Sequence, residues 1–183
     1  RQRQMCIRDR SYMAFMTLFW TGIRIGELLA LNVADVDFEK RTISIMKSYQ
    51  RMGGRDVITE PKTPKSKRVI AIPQFLAVDL QDYVNSMYGV QGEDRLFPIT
   101  KYYLEHEMQR GIKESGVKRI RIHDLRHSHA SLLVEMGFSP LEIANRLGHE
   151  KIETTLNTYS HLYPDKQEQL ADRLDKEYRE GLS

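Results

Sequence analysis

The sequence predicts a mainly helical α+β domain carrying one small three-stranded antiparallel β-sheet. Most of its 183 residues lie in segments whose apolar side chains recur at helical spacing and end at Gly, Pro or Ser. Three short runs between residues 42 and 72 alternate apolar and polar residues. With 40% hydrophobic and 29% charged residues, the chain can bury a real core, which excludes a disordered tail protein.

Residues 1–10 carry four arginines around Met5 and Cys6 and show no periodicity continuous with the segment from Tyr12. They read as an upstream remnant or a non-native junction, ahead of a main domain at 11–163 and a C-terminal helical tail at 164–183. From Tyr12, the residues Met13, Phe15, Met16, Leu18, Phe19 and Trp20 are apolar nearly all round, as in a buried helix. Thr21-Gly22 breaks that helix. Residues 24–31 make a second, with Ile25, Leu28, Leu29 and Leu31 on one side and Arg24 and Glu27 three apart on another. The runs 42–45, 57–59 and 68–72 are the three strands of the sheet, separated by Gly53-Gly54 and by Pro61-Lys62-Thr63-Pro64. Pro73 ends the sheet.

Phe75, Val78, Leu80, Tyr83, Val84 and Met87 give the next helix, and residues 100–114 another. A basic stretch, Lys118-Arg119-Ile120-Arg121, leads into a helix over 123–136 closed by Gly137. Ser139 caps a helix over 140–147 that has Pro140 in its first turn and Gly148 just past its end. Helical pieces at 152–162 and 164–178 finish the chain. No run approaches the roughly 18 apolar residues of a membrane span. No signal peptide opens the chain. A soluble, cytoplasmic protein without a membrane partner is therefore expected. The single cysteine excludes an internal disulfide and a multi-cysteine metal site.

The net charge of +3 does not by itself announce a polyanionic partner, but its distribution is uneven. Residues 47–68 hold seven basic side chains against two acidic ones. Alone, that run also fits a solvated edge strand whose lysines deter pairing. In His123-Asp124-Leu125-Arg126-His127, His123 and Arg126 share a helical face at an N-terminal turn, where free N–H groups and the dipole favour an anion. An Arg fork there can hold two phosphate oxygens. His123 and His127 also stand four apart, as in helical zinc pairs, but His149-Glu150 starts no His-Glu-x-x-His pattern. Ten residues past His149 lies Tyr159.

Taken together, Thr21-Gly22-Ile23-Arg24-x-x-Glu27-Leu28, Lys62 in a hairpin, His123-Asp124-Leu125-Arg126-His127, Leu147-Gly148-His149 and Thr154-Thr155-Leu156-x-x-Tyr159 closely resemble the tyrosine recombinase (phage integrase) family. The likeness covers about residues 12–175. In look it is nearest to integrases of temperate phages and conjugative transposons of Gram-positive bacteria, with chromosome-dimer resolvases also open. It implies the family's DNA breaking-rejoining fold and a tyrosine attack on a DNA phosphodiester. That attack leaves a 3′-phosphotyrosine and a free 5′-hydroxyl, with no metal, ATP or other cofactor.

Carried over by motif position, the resemblance makes Tyr159 the nucleophile and Arg24 and Arg126 the clamp on the non-bridging oxygens. His123 becomes a proton acceptor or phosphate ligand, and His149 a further donor to the phosphate. Lys62 becomes the general acid. Pro64 interrupts the commoner Lys-Thr-Lys-Ser form, which leaves Lys65 as the alternative acid. Glu27 is expected to fix Arg24, and Asp124 to orient an active-site His or cap its helix. Lys65, Lys67, Arg68, Arg119 and Arg121 are expected on the DNA. The implied partner is a double-stranded attachment site, bound by a homotetramer on synapsed DNA and by a monomer when free. Full-length members resemble a clamp with an N-terminal DNA-binding domain. None precedes Tyr12, so weak, unspecific DNA binding is expected of this chain. Two alternatives share some of these features. Residues 139–155 also scan as a helix-turn-helix, the mark of a non-catalytic DNA binder, and a type IB topoisomerase shares the chemistry.

Overall fold

The computed structural model describes residues 2–61, 63–163 and 167–181, with side chains placed for 10–61, 63, 65–163 and 170–181. The first helix, α1, spans Gln2–Thr21. It begins earlier than its apolar pattern because neither Gly nor Pro interrupts the preceding residues. It packs on α5 (Ile122–Glu135), on α3 (Gln74–Asn85) and on the short α2 (Ile25–Ala30). The other helices are α4 (Lys101–Ser115), α6 (Pro140–Leu147), α7 (Ile152–Tyr159) and α8 (Gln167–Glu180). The expected piece over 152–162 splits, since α7 stops at Tyr159 and a 3₁₀ turn, Ser160–Leu162, comes next.

A three-stranded antiparallel sheet is present, but its membership differs from the expectation. It is ordered β1-β2-β5, with β1 at Val36–Asp37, β2 at Thr42–Ile45 and β5 at Arg68–Ala71. The run 57–59 instead belongs to β4 (Arg55–Thr59), which pairs with β3 (Ser48–Met52) in a separate hairpin turning at Gly53-Gly54. The sequence hides β3 because only Tyr49 of its five residues is buried, so no apolar alternation marks it. In the main sheet Ile43 faces Ile70 across the β2–β5 ladder. Both are buried, and the neighbouring Val69 points to solvent.

Two apolar clusters hold the domain. The larger joins Leu18, Leu28, Leu29, Ile43, Ile45, Leu76, Leu80, Phe97 and Leu104 from α1 to α4 and the sheet. Each such side chain contributes about 1.5–3 kcal/mol on burial. The smaller joins Ala130 and Val134 of α5, Ile143 and Leu147 of α6, and Tyr159 at the end of α7. That second cluster ties the last turn of α7 to the carbonyl end of α6, and the candidate site forms there. Among the described residues, no helix is long and apolar enough to cross a membrane.

Candidate active site

Three arginines from distant parts of the chain meet the C-terminal end of α6, where the last carbonyls of a helix have no intrahelical partner and carry the negative end of its dipole. Arg68 of β5 donates from Nε to the Arg146 carbonyl at 2.8 Å. Arg126 of α5 donates to the Leu147 carbonyl at 2.7 Å. Arg24, which precedes α2, donates to the Gly148 carbonyl at 3.4 Å. Three guanidiniums thus sit on three successive carbonyls. His149 is the next residue, its Nδ1 2.8 Å from the buried Thr155 hydroxyl.

Local geometry forces each arginine into place. Gly22 has φ +66°, and an added Cβ would stand 2.6 Å from the His129 ring and 2.7 Å from Leu147, so the break after α1 must be glycine. Its carbonyl takes the second arm of the Arg126 fork at 2.6 Å. Gly26 lets the hairpin press on α2, since a Cβ there would lie 2.9 Å from the Tyr49 carbonyl oxygen. Glu27 is 3% exposed and accepts from the Arg24 backbone N–H and guanidinium, each at 2.9 Å, and from both terminal nitrogens of Arg68 at 3.1 and 2.9 Å. Burial pushes its carboxyl up, but the Arg68 and Arg24 contacts outweigh that and hold it below the ordinary value.

Arg126 is 5% exposed. Burial and the neighbouring Arg24 charge disfavour its charged form, yet a guanidinium stays protonated at neutral pH. Burial, followed by the charges of Arg126, Arg24 and Arg68, pushes His149 down to about 4. His149 is therefore a neutral imidazole at neutral pH. Tyr159 is 4% exposed, and burial raises its hydroxyl above the usual value. Its oxygen lies 2.7 Å from Nδ1 of His127. His123 stands edge-on to His127 with ring centroids 4.9 Å apart.

Arg24, Arg126, His149 and Tyr159 are therefore brought together, with His123 one ring away. Lys62 lies outside the described residues. Lys65 reaches the site's rim, its ammonium donating to the Glu150 carbonyl at 3.0 Å. Asp124 caps α5 by accepting from the Arg121 backbone N–H at 2.8 Å and pairs with the Arg121 guanidinium at 3.0 Å. Lys67 pairs with Glu60 at 2.7 Å on the surface, and Arg119 is exposed in the loop before α5. One expectation needs correction. Arg68, expected on the DNA, turns inward, is 7% exposed and spends its donors on Glu27, Ser66 and Arg146. Its physical reason is the buried Glu27 carboxylate, which requires a cation. His127 is the residue that sequence reasoning left unassigned. Its spacing of four from His123 was the available signal, and it pointed equally to a metal pair.

Behind the site, burial and the Arg146 and Arg126 charges push His129 down to about 4, and its Nε2 accepts from Arg146 Nε at 2.9 Å. His129 and His149 both have folded values below the ordinary 6.5. The unfolded chain therefore binds more protons between pH 6.5 and about 4, and stability must fall as pH drops through that window. For the buried His129 the expected loss is about 2 kcal/mol by about pH 5. Thermal unfolding at about pH 7.5 and about pH 5 checks this. An equal or higher melting temperature at the lower pH would contradict it, and His129→Gln is expected to flatten the difference.

The sequence pattern of the phage integrase family matches residues 2–166. The ICEBs1 integrase of Bacillus subtilis is 34% identical over 178 residues, covering 90% of this chain and 48% of that protein. The integrase of Staphylococcus phage L54a is 32% identical over 176 residues, covering 85% and 49%. The chain thus spans about half the length of these relatives. Among solved structures, the Tn1549 transposon integrase in complex with a circular intermediate DNA superposes with a TM-score of 0.74 at 24% identity, over 90% of this chain and 58% of that one. The catalytic domain of bacteriophage HP1 integrase superposes with a TM-score of 0.60 at 19% identity, over 92% and 90%.

Proposed function

The chain belongs to the phage integrase family, and from that premise we propose that it is the catalytic domain of a tyrosine-type site-specific DNA recombinase. It cuts and rejoins DNA through a 3′-phosphotyrosine. The observation that supports this most is the gathering of Arg24, Arg126 and His149 at the end of α6, with the Tyr159 hydroxyl at the end of the next helix.

Arg126 has five N–H donors, and the Gly22 and Leu147 carbonyls take two of them, which leaves the rest of the fork for a phosphate. Arg24 supplies a second guanidinium, 41% exposed and fixed by Glu27. Neutral His149 donates from Nε2 in the tautomer where the Thr155 hydroxyl donates to Nδ1. His123, exposed in the first turn of α5, serves as a phosphate ligand at that helix terminus. Attack by the Tyr159 oxygen forms the bond to phosphorus and breaks the bond to the 5′-oxygen. The leaving oxygen needs a proton, which Lys62 or Lys65 supplies. A second 5′-hydroxyl then reverses the step on a partner strand.

The partner is a double-stranded attachment site, bound by four copies in the synapsed state and by single copies beforehand. The tail, 164–183, is the element that joins copies. Along α8 every described side chain is exposed, including Leu170, Leu174 and Tyr178, so among the described residues nothing covers its apolar stripe. Deleting residues 164–183 should leave single-site cleavage intact and impair recombination. Unchanged recombination by the deletion variant would refute this role.

A nicked suicide duplex carrying the attachment core recovered from the flanking genome tests the whole reading. Cleavage should trap a covalent protein–DNA adduct that survives denaturation and forms without ATP. No adduct on a core that the protein binds would overturn it.

A further inference from the structure

We infer that His127, and not His123, takes the proton from the Tyr159 hydroxyl as it attacks DNA and returns it when the strands rejoin. The inference rests on the recombinase reading and assigns the proton acceptor within it.

The geometry is direct. Tyr159 is buried at the end of α7, among Ala130, Val134, Ile143 and Leu147, so bulk hydroxide does not reach its oxygen freely. Among the described residues, the hydrogen-bonding partner of that oxygen is Nδ1 of His127, at 2.7 Å. This lies within the distance at which a base can accept a proton in a single step. With the imidazole proton on Nε2, Nδ1 presents its lone pair to the hydroxyl, which donates.

His123 sits one turn earlier on the same face of α5, with its ring edge-on to His127. Among the described residues it is the His127 ring, and not the His123 ring, that is hydrogen-bonded to the Tyr159 oxygen. Its surroundings also suit another task, for it lies in the N-terminal turn of α5 between Arg121 and Arg126, where an anion is favoured. The two histidines thus divide the work, one on the phosphate and one on the nucleophile.

The proton balance closes without another reactant. As the Tyr159 oxygen bonds to phosphorus, its proton passes to Nδ1 of His127, which becomes an imidazolium. The 5′-oxygen leaves with the proton of the general acid. On rejoining, the incoming 5′-hydroxyl gives its proton back to that acid, and the departing Tyr159 oxygen recovers its own from His127.

Three preparations of the full protein on the nicked suicide duplex separate this role from simple positioning. His127→Asn keeps a hydrogen-bond acceptor near the Nδ1 position but cannot take a proton. It should slow adduct formation by about 10²- to 10⁴-fold with DNA binding unchanged. Placing a ring-fluorinated tyrosine at position 159, whose hydroxyl ionises more readily, should recover at least about tenfold of that loss. The same tyrosine should recover little in His123→Asn, because a missing phosphate ligand is not replaced by an easier ionisation. The inference is overturned if His127→Asn cuts within about threefold of the parent protein. It is also overturned if the fluorinated tyrosine rescues His123→Asn instead. A parent protein that binds the duplex but forms no adduct would sink the recombinase reading, and this inference with it.

Discussion

Tyr159→Phe should eliminate the covalent DNA adduct while leaving the fold and DNA binding in place. The substitution removes one oxygen and keeps the ring that packs on Val134, Ile143 and Leu147. The stability cost is that of one hydrogen bond to a half-buried histidine, about 0.5–1.5 kcal/mol. On the proposed reading the catalytic cost is total, since Tyr159 supplies the attacking oxygen. Tyr163 gives the internal control. It also packs against the second cluster, but its hydroxyl donates to the Phe138 carbonyl at 3.2 Å, away from the arginines. Tyr163→Phe should form adduct at the parent rate. Mass spectrometry of a trapped adduct checks both, and DNA found on Tyr163, or any adduct from Tyr159→Phe, would defeat the assignment.

The second large effect is expected at Glu27. Its carboxylate joins Arg24, the proposed phosphate clamp, to Arg68, whose side chain is 7% exposed. Glu27→Gln keeps the shape but leaves the Arg68 guanidinium buried without its counter-charge, a loss of about 3–5 kcal/mol. Arg24 loses its anchor as well, and a misplaced clamp donor costs about 10²–10³ in cleavage rate. The two losses can be separated. In a Glu27→Leu, Arg68→Met double variant neither buried charge remains, so urea denaturation should return stability well above that of Glu27→Gln. Cleavage should stay low because Arg24 is still unanchored. A double variant that recovers both would show that Glu27 serves folding alone, and a Glu27→Gln protein as stable and as fast in cleavage as the parent would show that it serves neither.

How much of this was legible in the sequence depended on whether a residue's role is set by local spacing. The helices were readable because periodicity, caps and breakers lie within a few positions of each other, as at Ser139, Pro140 and Gly148. Arg24, His123, Arg126, His149 and Tyr159 were readable as a set of candidates because each sits in a short motif. What could not be read depends on pairing across the chain. The polar strand β3 is defined by its partner β4 and not by its own pattern. Arg68 looked like one more cation in a basic run. Its real surroundings are Glu27, 41 residues back, and the Arg146 carbonyl, 78 residues ahead. His127 showed only its distance from His123, and what lies opposite it, the Tyr159 hydroxyl, is 32 residues away.

The three arginines on the last carbonyls of α6 also set the order in which the site can come into being. Arg24 is 124 residues from its carbonyl, and the Gly22 carbonyl is 104 from Arg126. Contacts of such separation close late, after local helices and hairpins have formed, because loop entropy must first be overcome. A chain still emerging from the ribosome has its first arginine in place long before Gly148 exists to receive it. On the recombinase reading, a partly made or partly unfolded protein therefore carries basic side chains but no assembled clamp able to cut DNA. The proposed competence to break a strand then arrives only with completion of the fold.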